Sequence, residues 1–182
     1  MPPPKPRKPR PPLDQGKLGE LALHYVGRFA TTRSKLVAYL ARKVRERGWS
    51  SEGEADLAAV AERLAGLGYI DDAAFALAKA RSLGGRGYGI RRVRQSLHAA
   101  GVGDDDAVGA NQLAESERVE AALRFARRRR FGPFAQTRAE RPERERAIAA
   151  MIRAGHSFGL ARAIVALDPG GKFNLEELAE KR

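Results

Sequence analysis

The chain has 182 residues, 34 Lys and Arg against 22 Asp and Glu for a formal net charge of +12, and no cysteine. The length allows one or two domains, the missing thiols exclude disulfides and thiolate zinc sites and suit a reducing cytoplasmic interior, and no run of 18 apolar residues exists to span a membrane. A charge this positive attracts polyanions, nucleic acid before acidic proteins or membrane surfaces.

Seven of the first twelve residues are proline and four are basic, so residues 1–16 are expected to be a disordered basic arm. Repeat one follows at 17–70. Leu18, Leu21, Val26 and Phe29 have helical spacing, and Leu36, Val37, Leu40 and Val44 form a second stripe that ends at Gly48. Ser51 with Glu54 has the form of a capping box, ahead of a third stripe at Leu57, Val60, Leu64 and Leu67 that stops at Gly68.

Repeat two, at 71–115, opens on the helix-start residues Asp71 and Asp72 and runs to glycines 84, 85, 87 and 89. Ile90, Val93 and Leu97 then recur until Gly101, and Asp104 caps a helix that bears Val108 and Leu113. Repeat three, at 116–169, carries Val119, Leu123 and Phe125 into Arg127 to Arg130, breaks at Phe131-Gly132-Pro133-Phe134, and resumes after Pro142 with Ile148, Met151 and Ile152 up to Gly155. Ser157 caps a last helix ended by Asp168-Pro169-Gly170, and 170–182 are expected to be a mobile tail.

An Ala followed by a large apolar residue recurs at Ala22-Leu23, Ala74-Phe75 and Ala122-Leu123, and a helix stop recurs at Gly48, Gly101 and Gly155. Self-similarity at about fifty residues predicts an all-helical, elongated array of three three-helix repeats with an extended shared surface. Strand patterning is nearly absent.

Charge follows the repeat. From Ala73 through Gly103 there is no acidic residue, while Arg81, Arg86, Arg91, Arg92 and Arg94 are basic. The corresponding part of repeat one holds Arg42 and Lys43, and that of repeat three holds Arg128 and Arg129. Stacked repeats would join these nine residues into a stripe suited to a phosphate backbone. Four successive helical residues diverge by about 100° each, so only part of the run from Arg127 to Arg130 faces any one ligand.

Catalytic readings find no support. The segment Gly84-Gly85-Arg86-Gly87-Tyr88-Gly89 matches neither the dinucleotide nor the P-loop spacing and is expected to be an interhelix hinge. Asp71 and Asp72 diverge on a helix, and His24, His98 and His156 lie in different repeats without ligand spacing. A non-enzyme with no cofactor and no metal is expected. The residues leave two other classes open: a helix-turn-helix regulator using Arg91 to Gln95, and a basic module that binds RNA.

Gly68-Tyr69-Ile70-Asp71-Asp72, Phe75-Ala76, Arg81, Gly87, Gly89, Ile90-Arg91 and Leu97 through Gly101-Val102 together resemble the central signature of the bacterial RecX family of regulatory proteins. The stretch Phe125 to Pro133 is similar to the equivalent part of its alphaproteobacterial members. The resemblance spans about residues 18 to 169. It implies a monomeric modulator of the RecA recombinase, made of tandem three-helix repeats, that binds the filament of RecA with single- or double-stranded DNA and restrains strand exchange and ATP hydrolysis in recombination, repair and the SOS response.

Overall fold

The computed structural model describes residues 11–181, so the expectation for the first ten residues of the arm lies outside it. Two compact units divide between Asp72 and Ala73. Successive sets of three helices make up the body, with repeat one in the first unit and repeats two and three together in the second.

In the first unit, α1 (Gln15–Val26), α2 (Arg33–Arg47) and α3 (Leu57–Gly66) pack mutually around Leu18, Leu36, Leu40, Val60 and Leu64. Residues 11–16 depart from the expected disorder. Leu13 is fully buried, accepts the Ser50 N–H at 2.9 Å and donates its own N–H to Gly48 at 3.0 Å, while Asp14 caps α1. The buried leucine, its two backbone bonds beside the α2 stop, the Asp14 cap and the Arg47 guanidinium on the Pro11 carbonyl together hold this stretch against its entropy. The Ser51 and Glu54 capping box does not form. Asp56 caps α3 instead, accepting the Ala59 N–H at 2.9 Å, because Gly53 turns left-handed (φ 68°) and the Trp49 indole N–H holds its carbonyl at 3.0 Å. Phe29 and Leu67, expected in the apolar stripes, are exposed; both lie past the last turn of their helices.

Asp72 does more than open a helix. As the last residue of the first unit, it accepts on its buried carboxylate the backbone N–H of Arg33 at 3.0 Å and the same residue's guanidinium N–H at 3.4 Å, and so supports the first turn of α2.

In the second unit, α4 (Asp72–Gly85, from Ala73 on in this unit), α5 (Ile90–His98) and α6 (Asp104–Ser116) enclose Ala76, Ala80, Leu83, Val93, Leu97 and Ala110. Gly103 caps α6 in place of Asp104, leaving three aspartates in the first turn, where the helix dipole favours them. Val108 is exposed because Ala107 and Ala110 carry the inward face. Helices α7 (Arg118–Arg129), α8 (Arg141–Arg153) and α9 (Phe158–Ala166) surround Phe125, Met151, Leu160 and Ile164, with a 3₁₀ turn at Gly132–Phe134. Glu140 and Glu143 form a capping box at the start of α8.

The segment expected as a mobile tail carries α10 (Leu175–Ala179), which packs on α7 and α9. Leu178 is buried there, Phe173 meets Phe134 edge-on, and the Arg118 guanidinium donates to the Ala179 and Lys181 carbonyls. Asn174 caps this helix, and a single buried leucine anchors it. No described helix is long and apolar enough to cross a membrane.

Candidate nucleic-acid interface

The glycine segment after α4 is the centre of the second unit. Gly87 turns left-handed (φ 79°), and a methyl group there would stand 2.7 Å from the Phe125 backbone nitrogen; a methyl on Gly89 would overlap the carbonyl of Gly155. The backbone of repeat two therefore lies directly against that of repeat three. Gly89 N–H donates to Ala154 at 2.9 Å and Arg91 N–H to Gly155 at 3.2 Å. The segment expected to act as a hinge is a packed joint, because its missing side chains permit this contact.

Repeat three also supplies three side-chain donors to the joint. Arg124 Nε reaches the Gly84 carbonyl at 3.1 Å, Arg128 Nη1 that of Arg86 at 2.7 Å, and His156 Nε2 that of Gly87 at 3.0 Å. Arg124 and Arg128 are one helical turn apart on α7, so the helix presents both to backbone carbonyls at and just past the end of α4; that of Gly84 also accepts the Gly87 N–H at 2.8 Å. His156 is buried against Phe125, and desolvation lowers its pKa below 6.5 against the opposing pull of the Gly87 carbonyl. The hydrogen bond to a carbonyl assigns the proton of the neutral ring to Nε2.

Tyr88 connects the apolar cores of repeats two and three. The guanidinium carbons of Arg86 and Arg128 stand 5.5 and 6.0 Å from its ring centroid. Two exposed cations thus stand over one ring, and one of them is also held by a backbone carbonyl. This arrangement suits a phosphodiester.

The other predicted positions divide by unit. Arg81 on α4 and Arg91, Arg92 and Arg94 on α5 are exposed; Arg92 donates to Gln95 at 3.0 Å, and Arg94 lines a cavity of about 420 Å³ with Glu115, Arg118 and His156. Arg129 stands over the Phe125 ring. Arg127 turns away over Phe134, while Arg128 shares the Phe125 ring with Arg129 and also reaches Tyr88. In the first unit, Arg42 and Lys43 both pair with Glu46, at 3.7 and 2.6 Å, and both lie over the Tyr39 ring, so part of their charge is already balanced.

Tyr88, Arg124 and His156 have roles that the sequence analysis missed. Tyr88 stands between two glycines that bring backbones together, and His156 directly follows a helix-stop glycine. Those positions were the available signals.

Residues 71–110 match the family model described as RecX, second three-helix domain. The chain is 35% identical over 177 residues to the regulatory protein RecX of Myxococcus xanthus, covering 92% of this chain and 91% of that one. It is 29% identical over 150 residues to the regulatory protein RecX of Agrobacterium fabrum, with 80% of each covered. Among solved structures it resembles one described as a crystal structure of regulatory protein RecX (TM-score 0.60, 24% identity, 83% of this chain and 70% of that one). It also resembles RecX from Lactobacillus salivarius (TM-score 0.59, 19% identity, 82% and 93%). At these identities the structural likeness is one of fold.

Proposed function

The chain belongs to the RecX family of regulatory proteins, and from that premise we propose that it is a non-catalytic inhibitor of the RecA recombinase that binds the filament of RecA and DNA. It acts in the cytoplasm as a monomer, in the control of recombination, repair and the SOS response. The observation that carries this reading is the acid-free stretch Ala73–Gly103, whose arginines share one unit with Arg128 and one of which, Arg86, stands with it over Tyr88. Cations fixed on a ring and a carbonyl contact phosphates without sequence preference, as a protein lying along a filament requires. We place the contacts at Arg81, Arg86, Arg91, Arg92, Arg94, Arg128 and Arg129, with Arg42 and Lys43 of the first unit in support.

The test is RecA-dependent ATP hydrolysis on single-stranded DNA with increasing amounts of purified protein. Inhibition is expected well below one molecule per RecA monomer; unchanged hydrolysis and strand exchange at equimolar addition reject the proposal. Preference for particular naked duplex sites would favour a helix-turn-helix regulator, and preference for RNA would favour an RNA-binding module.

A further inference from the structure

A second basic feature of the unit lies behind the arginine run. After α7 the chain turns through Arg130, the one non-glycine residue among the described residues with a left-handed backbone (φ 56°). The position after a helix is normally held by glycine, since a side chain there crowds the following carbonyl. Arginine at this position is unfavourable for the fold alone, and an observed outlier of this kind points to a role for the side chain.

Arg130 opens onto a cavity of about 440 Å³, within the range of small-molecule sites. Its apolar wall includes Phe131, Ala147 and Val165, and Arg129, Arg130 and Arg146 bring three cations to it. The carboxylate Glu143 also lines the cavity, but it accepts the Glu140 backbone N–H at 3.1 Å in the capping box. Ion pairs in this part of the chain engage other arginines: Arg118, Arg124, Arg138 and Arg141.

An apolar wall with an aromatic ring beside several guanidiniums matches a ligand with a flat apolar face and a phosphate. The space is larger than a bare anion needs, and its lining pairs an apolar wall with polar and cationic groups. We propose that this pocket receives one nucleotide of a single strand, its base against Phe131 and Val165 and its phosphates on Arg129, Arg130 and Arg146. The inference rests on the reading of the chain as a nucleic-acid-contacting regulator. A base within a duplex is stacked and paired, so the pocket selects unpaired strand, where an aromatic face is favourable for any base. It also accounts for the left-handed arginine: the turn aims a cation at the pocket that a glycine would not supply.

The experiment compares binding of an oligothymidylate with that of an equally long abasic strand, which has the same phosphates and no bases. The full chain is expected to prefer the oligothymidylate by about tenfold, the effect of stacking a base. Arg130→Gly relieves the backbone and is expected to melt at or above the parent temperature while binding oligothymidylate more weakly. Ala135→Phe, which fills the cavity, is expected to abolish the preference while the abasic strand binds as before. Equal binding of both strands by the parent, or a preference unchanged in folded Ala135→Phe, overturns the pocket and leaves the wider nucleic-acid reading standing. Binding of neither strand rejects that wider reading. Thymidine monophosphate or inorganic phosphate binding as tightly as the strand would make this a site for a free small molecule and overturn the proposal.

Discussion

Arg128 and Arg86, 42 positions apart, are joined by a 2.7 Å hydrogen bond from the guanidinium of one to the backbone carbonyl of the other, and both cations stand over the ring of Tyr88. Like charges gathered at one ring repel, and the carbonyl dipole and the electron-rich ring offset that repulsion. The pair is therefore fixed in advance of any ligand, which removes part of the ordering cost of binding.

Tyr88→Leu keeps most of the apolar contact with both cores but removes the face that gathers the two cations. We expect DNA affinity to fall several-fold with a melting temperature within a few degrees of the parent. Arg128→Ala should in addition lower the slope of log affinity against log salt by about 0.7 to 0.9, the share of one phosphate contact. Titrations at several salt concentrations, with circular dichroism as the fold control, check both variants.

Arg91, Arg92 and Arg94 are all exposed on α5, while Val93 and Leu97 hold the helix in the core. Replacing the three arginines together by alanine should leave helix content and melting unchanged and flatten the salt dependence by about two units or more. An unaltered slope in the folded triple variant would make them a solvated face and move the contact to Arg86, Arg128 and Arg129.

Gly89→Ala places a methyl group on the Gly155 carbonyl, and neither backbone can withdraw without breaking the bonds that join repeats two and three. Overpacking of this kind costs about 1–3 kcal/mol. Chemical denaturation should show that loss, and limited proteolysis should show earlier cleavage near residues 84–89. Full stability would mean that the joint is looser than its contacts indicate.

Burial holds the His156 imidazole neutral below its ordinary pKa of 6.5. The unfolded chain then binds this proton more readily than the folded one, so the contribution to stability is complete above 6.5 and is lost as pH falls from there toward the native value. His156→Gln keeps a donor for the Gly87 carbonyl but does not titrate. We expect the stability difference between pH 7.5 and 5.5 to be smaller in this variant than in the parent, measured by urea unfolding at each pH. Equal differences would mean that His156 is already open to water.

The helices, their order and the basic balance of repeat two were legible in the residues, because helix periodicity, caps and glycine stops act over four or five positions and leave their trace locally. Leu36 and Leu40, or Val93 and Leu97, mark an inward face wherever that helix lies. Local signals failed where two of them competed: Gly53 with Trp49 displaced the cap from Ser51 to Asp56, and Leu13 and Leu178 ordered stretches whose composition suggested none. The partners of Arg124, Arg128 and His156 lie 40, 42 and 69 positions away. No period in the chain encodes such pairings. They exist because Gly87 and Gly89 let two backbones touch, and that contact set one member of the arginine run, Arg128, beside Arg86 over Tyr88, a pairing that a sequence presents only as bare charge.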